Sequence, residues 1–280
     1  MASVTAAVPA AGPQLWWQSC LSRQPLRWTD GKAIYVDVKQ DIVPDTQTGV
    51  SASRWTNMRR HHHDWLMREF GILPDRSRLI DVGCGQSQFR DLIGRFDVCG
   101  IDHFPYPGAD VVADFAEALP LADGCADAAM LSNVLEHLYE PRVLLAECLR
   151  VLRPGAPLFV VVPFMIKLHQ TPHDFHRYTE FALAAMARDC GFAGVRIERL
   201  GNIFDVYDID RWIRANLIRS STTGWRRLAA RALIKLQNET ERTLMRVIPS
   251  ELRGATDTVG FPQSYGMFAR RPAVTSARGL

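Results

Sequence analysis

Seven residues decide the fold of this chain: LIDVGCG, which runs from Leu79 to Gly85. The first four residues are an apolar run that includes one carboxylate, Asp81, and the last three are a glycine-rich turn. Such a run ending in glycines predicts a buried strand that enters a tight turn. Because glycine lacks a side chain and adopts unusual backbone angles, a ligand can approach the main chain closely at this turn.

Predicted strands and helices alternate after this stretch. Apolar residues recur at helical spacing from Phe89 to Phe96, and two further helices are predicted to begin near Pro141 and Thr179. The other apolar runs, which predict strands, are residues 98–101, 111–112, 128–132, 158–162 and 265–269. This alternation is typical of a doubly wound α/β sheet.

The 280 residues divide into four segments. We expect residues 1–72 to form an N-terminal extension with a cover helix and residues 73–202 to form the α/β core. Residues 203–258 predict a helical insertion or lid, and residues 259–280 contain the last strand of the core and a tail. The histidines at 61–63 fall on the predicted cover helix, and we expect that segment to be exposed.

The composition limits the classes of partner. The chain has 33 Lys and Arg against 30 Asp and Glu, and a net charge of +3 does not indicate a nucleic-acid partner. Its 6 cysteines include no C-x-x-C pair, which favours reduced thiols in a cytoplasmic protein. No apolar stretch is long enough to span a membrane. The sequence leaves the oligomeric state open.

A basic amphipathic helix is predicted inside the insertion. Two interpretations stay open: a surface that contacts anionic lipid or an acidic acceptor, and a solvated face whose apolar side covers the core, which we favour. The basic residues are Arg227, Arg231, Lys235, Arg242 and Arg246, the opposite apolar residues are Trp225, Leu228, Ala232, Leu233 and Leu236, and the expected lid residues before them are Ile209, Trp212, Ile213 and Leu217.

Five ordered motifs resemble those of the class I S-adenosylmethionine-dependent methyltransferases, in a small-molecule group that bears LEH and RYT motifs. The motifs are Leu79–Gly85, Asp102, Asp114–Phe115 with Leu119–Asp123, Ser132–His137 and Leu152–Gly155. The resemblance implies a Rossmann-like, seven-stranded and mostly parallel sheet whose last strand is antiparallel. Gln88 stands where the dinucleotide fingerprint has its third glycine, which disfavours a nicotinamide cofactor.

The position of Asp102, at the end of the strand after the glycine turn, suits a carboxylate that accepts the two hydroxyls of a ribose. The resemblance further implies that the cofactor is S-adenosyl-L-methionine. It assigns the amino-acid end of the cofactor to the glycine turn with Asp81, the adenine to Asp114 with Phe115, and the sulfonium or substrate side to Asn133. The full set of expected cofactor-binding residues is Asp81, Gly83, Cys84, Gly85, Gln86, Asp102, His103, Asp114, Phe115 and Asn133.

Three histidines are candidate catalytic residues: His137, His173 and His176. The stretch HDFHRYT, residues 173–179, is similar to a signature that shapes the acceptor pocket in this group. One of its histidines can serve as a general base, oriented by Asp174, and the alternative is a loop that only packs. Some methyltransferases hold a divalent metal through E-x-x-E-H, but this chain has Asn133 in place of the first Glu. We therefore expect no metal and favour Glu136 and His137 as a helix-start pair that borders the cofactor pocket, while the choice between a general base and a metal stays open.

The resemblance implies methyl transfer to a small-molecule acceptor. We expect O-methylation of a secondary metabolite or a sugar-containing intermediate, by an in-line displacement that needs donor and acceptor atoms aligned about 3 Å apart. N- or C-methylation stays open. The alternatives from other classes are a nicotinamide-dependent oxidoreductase and a non-catalytic scaffold that binds the cofactor.

Overall fold

The computed structural model describes residues 15–37, 55–202, 205, 223–248 and 261–273. Its strands are β1 (Arg27–Thr29), β2 (Lys32–Ile34), β3 (Arg78–Val82), β4 (Asp97–Asp102), β5 (Val111–Val112), β6 (Ala128–Ser132), β7 (Pro157–Pro163), β8 (Ala193–Leu200) and β9 (Ser264–Arg270). The α-helices of the same residues are α1 (Asn57–Glu69), α2 (Arg90–Ile93), α3 (Pro141–Val151), α4 (Glu180–Asp189) and α5 (Gly224–Val247).

The strands form one mostly parallel sheet in the order β1-β2-β5-β4-β3-β6-β7-β9-β8. The neighbours from β2 to β7 pair in parallel, whereas β9 lies antiparallel between β7 and β8. This confirms the expected α/β architecture and the antiparallel last strand. Because β3 is central, the glycine turn that follows it lies in the middle of the row formed by the carboxyl ends of the parallel strands.

The described part of the sheet has nine strands, so the expectation of seven is wrong. The two additional strands, β1 and β2, form an antiparallel hairpin, and β2 extends the sheet beyond β5. The hairpin turn is Asp30-Gly31, with φ of 49° and 77°. A two-residue Asp-Gly turn with both φ values positive is the type that joins antiparallel strands most readily.

Strand β8 was not predicted from the sequence, because charged residues interrupt its apolar pattern. In the structure each charge has a partner outside the strand. Arg196 lies 2.9 Å from Glu69, Arg199 lies 2.7 Å from Glu180, and Glu198 pairs with Arg68 on α1. Ion pairs therefore allow an edge strand to form from a sequence that does not alternate cleanly.

The central strands are buried on both faces, which explains their continuous apolar runs. Their side chains alternate between two clusters. One cluster contains Ile80 and Leu131 and is covered by α3 and α4, and the other contains Leu79 and Phe159 together with residues of α1. The core therefore occupies both faces of the sheet.

Helix α1 packs on the sheet through its histidine segment, so the expectation that residues 61–63 are exposed is wrong. His62 is 1% exposed, and burial with the nearby charges of His61 and Arg59 lowers its pKa to about 3. The Nε2 atom of His61 lies 3.1 Å from Asp205. The middle histidine is thus a neutral core residue, because this face of the helix points at the sheet.

Two predicted helices differ in the structure. The apolar residues from Phe89 to Phe96 are largely buried, but only the four residues of α2 are helical. The apolar side of α5 does not cover the core, because Trp225 is 74% exposed and Leu228 is 68% exposed. The expected lid residues before α5 lie outside the described residues. Among the described helices, no 18-residue segment is apolar enough to span a lipid bilayer.

The packing of α1 on the sheet can be tested by a substitution at Gly266 on β9. A Cβ atom at this position would lie 2.5 Å from Trp65 Cε2, which leaves no room for it. We expect Gly266→Ala to reduce the free energy of unfolding by about 1–3 kcal/mol, as overpacking does, measured by urea denaturation.

The matched control is Gly71→Ala, because a Cβ there would meet nothing within 4 Å. We expect the control to change the free energy of unfolding by less than about 0.5 kcal/mol. Equal stability of the two variants would contradict the packing of α1 on β9.

Candidate functional site

The glycine turn after β3 is held against the end of β4. The backbone N–H groups of Gly83 and Cys84 donate to the Ile101 carbonyl at 2.8 and 3.2 Å. Gly83 and Gly85 have φ of 72° and 50°, angles that L side chains rarely adopt. A Cβ atom on Gly83 would clash with Val134, whereas one on Gly85 would meet nothing within 4 Å. The first glycine therefore allows close packing, and the second leaves open space beside the main chain.

Asp102 closes β4 beside this turn, where the sequence predicts a ribose-binding carboxylate. Its two oxygens accept hydrogen bonds from the backbone N–H groups of Gly85 at 2.8 Å and Phe104 at 3.1 Å. The side chain is buried, and burial raises its pKa although the backbone hydrogen bonds lower it. Each carboxylate oxygen can accept more than one hydrogen bond, so these contacts leave acceptor capacity for a ligand.

Two glycines that the sequence analysis did not single out bring the next loop close to the turn. A Cβ on Gly100 would collide with the carbonyl of Gly108, and a Cβ on Gly108 would collide with the Ser87 hydroxyl. Both glycines are needed for the loop after β4 to pack on the glycine turn. The sequence shows where Gly100 and Gly108 stand relative to the Gly83–Gly85 turn. Only the fold shows that Gly100 packs against Gly108 and that Gly108 packs against Ser87.

The remaining expected cofactor residues lie at the same edge of the sheet. Asp114 accepts a hydrogen bond from Ala116 N at 2.9 Å and begins the loop after β5, next to the half-buried Phe115. Asn133 follows β6 with a φ of 55°, and its buried Oδ1 has no hydrogen-bond partner in the described structure. Its backbone N–H donates to the Val161 carbonyl at 2.9 Å. The parallel pairing of β5, β4, β3 and β6 gathers these ends.

These residues fit S-adenosylmethionine on structural grounds. The open space beside Gly85 gives a ligand access to the main chain, and the Asp102 carboxylate next to it suits ribose hydroxyls. The unpartnered Oδ1 of Asn133 offers a further polar contact. In open α/β sheets, ligands bind at the carboxyl ends of the strands, where these groups lie.

A second set of polar residues lies after β6, where Leu135–His137 forms one turn of 3-10 helix. The loop after β7 is bound to this turn. The Glu136 carbonyl accepts from Phe175 N at 2.8 Å and His176 N at 3.2 Å, and the Leu135 carbonyl accepts from the Tyr178 hydroxyl at 2.8 Å. The LEH turn and the HDFHRYT loop are therefore one structural unit.

The expected role of Asp174 is wrong. Its carboxylate does not orient His173 or His176 but accepts two hydrogen bonds from Arg177, at 2.6 and 2.7 Å. It also lies 3.2 Å from the Nδ1 of His169. Partial burial raises the pKa of Asp174, but the hydrogen bonds from Arg177 and the His169 backbone N–H, with the charges of both side chains, outweigh it and lower the pKa to about 2. Asp174 is thus a structural anion inside the loop.

The three candidate catalytic histidines have different surroundings. His137 Nδ1 lies 2.7 Å from the His173 carbonyl. His176 Nε2 lies 3.3 Å from the Tyr139 carbonyl, and its ring stacks on Tyr178. The Nε2 of His173 is buried and has no hydrogen-bond partner among the described residues. Of the two histidines in the HDFHRYT loop, His173 therefore has the less engaged Nε2.

The sequence does not predict that Glu136 and His169 lie close together. The Glu136 side chain is 0% exposed, and the Nε2 atoms of His137 and His169 lie 3.7 and 3.8 Å from its Oε1. Burial lowers the pKa of His169, but the carboxylates of Glu136 and Asp174 outweigh that effect and raise it. Glu136 and His169 are 33 positions apart, so no local spacing signals that they meet.

Part of the sheet is similar to a known protein domain. A family described as methyltransferase domain matches residues 80–160, which begin in β3 and end in β7. The chain is 32% identical over 168 residues to a demethylmenaquinone methyltransferase of Renibacterium salmoninarum, covering 55% of this chain and 66% of the relative. It is 29% identical over 140 residues to a protein of Mycolicibacterium smegmatis named as a probable S-adenosylmethionine-dependent methyltransferase, covering 45% and 54%.

A solved structure of a methyltransferase from Archaeoglobus fulgidus, described as dependent on the same cofactor, is 21% identical to this chain. The alignment covers 78% of this chain and 95% of that protein, with a TM-score of 0.46. The alignments to the two curated relatives span 66% and 54% of their lengths. Residues 80–160 are therefore similar to a methyltransferase domain, and the chain is similar to relatives that are named as methyltransferases, one of them as a probable S-adenosylmethionine-dependent enzyme.

Proposed function

We propose that the chain transfers a methyl group from S-adenosylmethionine to a hydroxyl oxygen of a small molecule. The observation that carries the proposal is the meeting of two groups at one sheet edge. The glycine turn with Asp102 ends β3 and β4, and the Glu136–His137 turn with the histidine loop follows the neighbouring β6 and β7. Donor and acceptor groups of the reaction can thus be held side by side.

The proposed cofactor residues bind and orient and do not react. When bound, the cofactor would supply the methyl group of its sulfonium, and the rest of the cofactor would remain as a neutral thioether after the transfer. The Asp102 carboxylate would hold the ribose, and the turn with Asp81 would hold the amino-acid end. Alignment of the two reacting atoms accounts for a large part of the rate in such a displacement.

A hydroxyl acceptor must lose a proton as its oxygen forms the bond to carbon, so it gains from a general base. His173 supports this role because its Nε2 is buried and has no hydrogen-bond partner in the described structure. The loop that carries His173 is fixed by hydrogen bonds to the Glu136 and Leu135 carbonyls. An imidazole nitrogen that is fixed and unpartnered can accept the proton of a hydroxyl acceptor. An acceptor that needs no base would not require such a nitrogen.

The assay of methyl transfer from radiolabelled S-adenosylmethionine to a panel of hydroxyl and amine acceptors tests this proposal. We expect turnover with hydroxyl acceptors, and we expect His173→Ala to lower kcat by about 100-fold or more with the Kd for the cofactor nearly unchanged. His63→Ala on α1 is the control, because the His63 ring packs against Trp55 and Phe89 and pairs with Asp64 at 3.0 Å, and none of these partners belongs to the HDFHRYT loop. Full activity of His173→Ala, or turnover only with amines, would contradict the proposal.

Asp81 is the second carboxylate next to the turn. It is 3% exposed, and burial together with the negative charge of Asp102 raises its pKa to about 7. Two buried carboxylates in one place are costly when both are ionised. A cationic ligand group, such as the ammonium of the cofactor, would reduce that repulsion, which supports the assignment of the amino-acid end to this region.

This pKa gives a dependence of stability on pH. Because the folded pKa is above the ordinary value of 3.8, the stability that Asp81 contributes is complete below that value and is lost as the pH rises through about 7. We expect Asp81→Asn to raise the free energy of unfolding of the ligand-free protein at pH 8 by on the order of 2 kcal/mol, and to have a smaller effect at pH 5.

Thermal and urea denaturation at the two pH values measure this difference, with Asp75→Asn as the control because the Asp75 side chain is 74% exposed. The same stabilisation by Asp81→Asn at pH 5 and pH 8 would show that the effect does not come from ionisation of Asp81.

A further inference from the structure

We propose that Glu136, His137 and His169 form a binding site for a divalent transition-metal ion. The three residues contribute one carboxylate oxygen and two imidazole nitrogens, and these atoms all lie within 4.8 Å of one another. The sequence alone does not favour a metal here, because Asn133 replaces a glutamate of the known E-x-x-E-H pattern. The proposal therefore depends on the geometry of these three side chains.

The two distances to Glu136 Oε1 are close to those that a bound ion requires. His137 Nε2 lies 3.7 Å from Glu136 Oε1, and His169 Nε2 lies 3.8 Å from the same oxygen. Two ligand atoms that bind one tetrahedral ion at about 2.1 Å lie about 3.4 Å apart. The present distances are too long for hydrogen bonds between the residues, and the three ligand atoms, which all lie within 4.8 Å of one another, would move closer together when they bind an ion.

The Glu136 carboxylate needs a partner. Its side chain is 0% exposed, and neither Oε1 nor Oε2 has a hydrogen-bond partner in the part of the chain that the structure describes. Buried carboxylates in proteins are normally hydrogen-bonded, paired or bound to a metal, and the two imidazole nitrogens beside Oε1, at 3.7 and 3.8 Å, are too far away for hydrogen bonds. A cation at Oε1 would supply the missing partner.

The tautomer of His137 suits a metal ligand. Its Nδ1 lies 2.7 Å from the His173 carbonyl oxygen. Because a carbonyl only accepts hydrogen bonds, Nδ1 carries the hydrogen, and the Nε2 of the neutral ring presents its lone pair toward Glu136. Metal-binding histidines usually donate their second ring N–H to a carbonyl or carboxylate in this way.

His169 has the matching arrangement with a carboxylate. Its Nδ1 lies 3.2 Å from Asp174 Oδ2, which favours the hydrogen on Nδ1 and the lone pair on Nε2. Asp174 is itself fixed by Arg177, at 2.6 and 2.7 Å. Arg177 Nη2 also lies 3.5 Å from His169 Nδ1, farther away than the carboxylate oxygen. Asp174 and Arg177 are thus positioning residues for the imidazole.

The donor set selects the class of ion. Two imidazole nitrogens and one carboxylate suit Zn²⁺ and similar borderline divalent ions, whereas Mg²⁺ and Ca²⁺ prefer oxygen ligands. Three protein ligands leave a coordination position open, as in catalytic zinc sites. The His137 and His169 side chains are 15% and 25% exposed, so an ion can reach the site from solvent.

A metal at this place would deepen the proposed function. A hydroxyl bound to a divalent ion has a lowered pKa and loses its proton more readily, so the acceptor class would be small molecules with a metal-binding hydroxyl. This consequence depends on the proposed methyl transfer. Binding of the metal does not depend on it.

Titration of the chelator-treated full chain with Zn²⁺, followed by calorimetry and by metal analysis after desalting, tests the site without any assay of activity. We expect one Zn²⁺ per chain, no saturable binding of Mg²⁺ at the same concentrations, and binding at least about 100-fold weaker in Glu136→Gln and His169→Ala. His63→Ala should bind Zn²⁺ as the wild type does.

A second readout uses the unaltered protein, so it does not depend on the folding of a variant. Co²⁺ in place of Zn²⁺ should give the visible absorption of a four- or five-coordinate site with nitrogen and oxygen ligands. No stoichiometric Zn²⁺, equal binding by wild type and Glu136→Gln, or the spectrum of hexa-aqua Co²⁺ would overturn the proposal. Binding of S-adenosylmethionine, measured separately, shows whether the methyltransferase site fails on its own.

Discussion

Hydrogen bonds and close packing at the Gly83–Gly85 turn hold the candidate site together. Its N–H groups bind the end of β4 through the Ile101 carbonyl and the Asp102 carboxylate, and the absence of a side chain at Gly83 lets Val134 pack against it. Three strand ends are therefore joined through one turn. A side chain at Gly83 would collide with Val134, which follows β6, and would separate the proposed cofactor residues from the proposed acceptor side.

The region that we propose binds the acceptor is ordered by a separate set of contacts. The carbonyls of Leu135 and Glu136 bind the loop after β7, and the pair of Asp174 with Arg177 fixes that loop internally. These backbone contacts bring His169 to the buried carboxylate of Glu136. Polar groups are thus concentrated at the edge of a sheet whose interior is apolar, which is the usual location of a site in an α/β fold.

Apolar runs and turn chemistry were sufficient to predict β3, β4, β6, β7 and β9, because buried strands have continuous apolar sequences. They were not sufficient for β8, which depends on ion pairs with α1 and α4, or for the burial of His62, which depends on how α1 docks. The glycine turn and Asp102 could be predicted because the motif is local. The proximity of Glu136 and His169 could not be predicted, because it results from the way the loop after β7 folds back on the residues after β6 and not from a local spacing in the sequence.

Calorimetric titration of the full chain with S-adenosylhomocysteine and, separately, with a nicotinamide dinucleotide distinguishes the two classes of cofactor. We expect saturable binding of S-adenosylhomocysteine alone, with an affinity about 10-fold or more lower in Asp102→Ala, since a hydrogen bond to a charged group is worth about 1.5–3 kcal/mol. Binding of only the dinucleotide, or unchanged affinity in Asp102→Ala, would contradict this expectation.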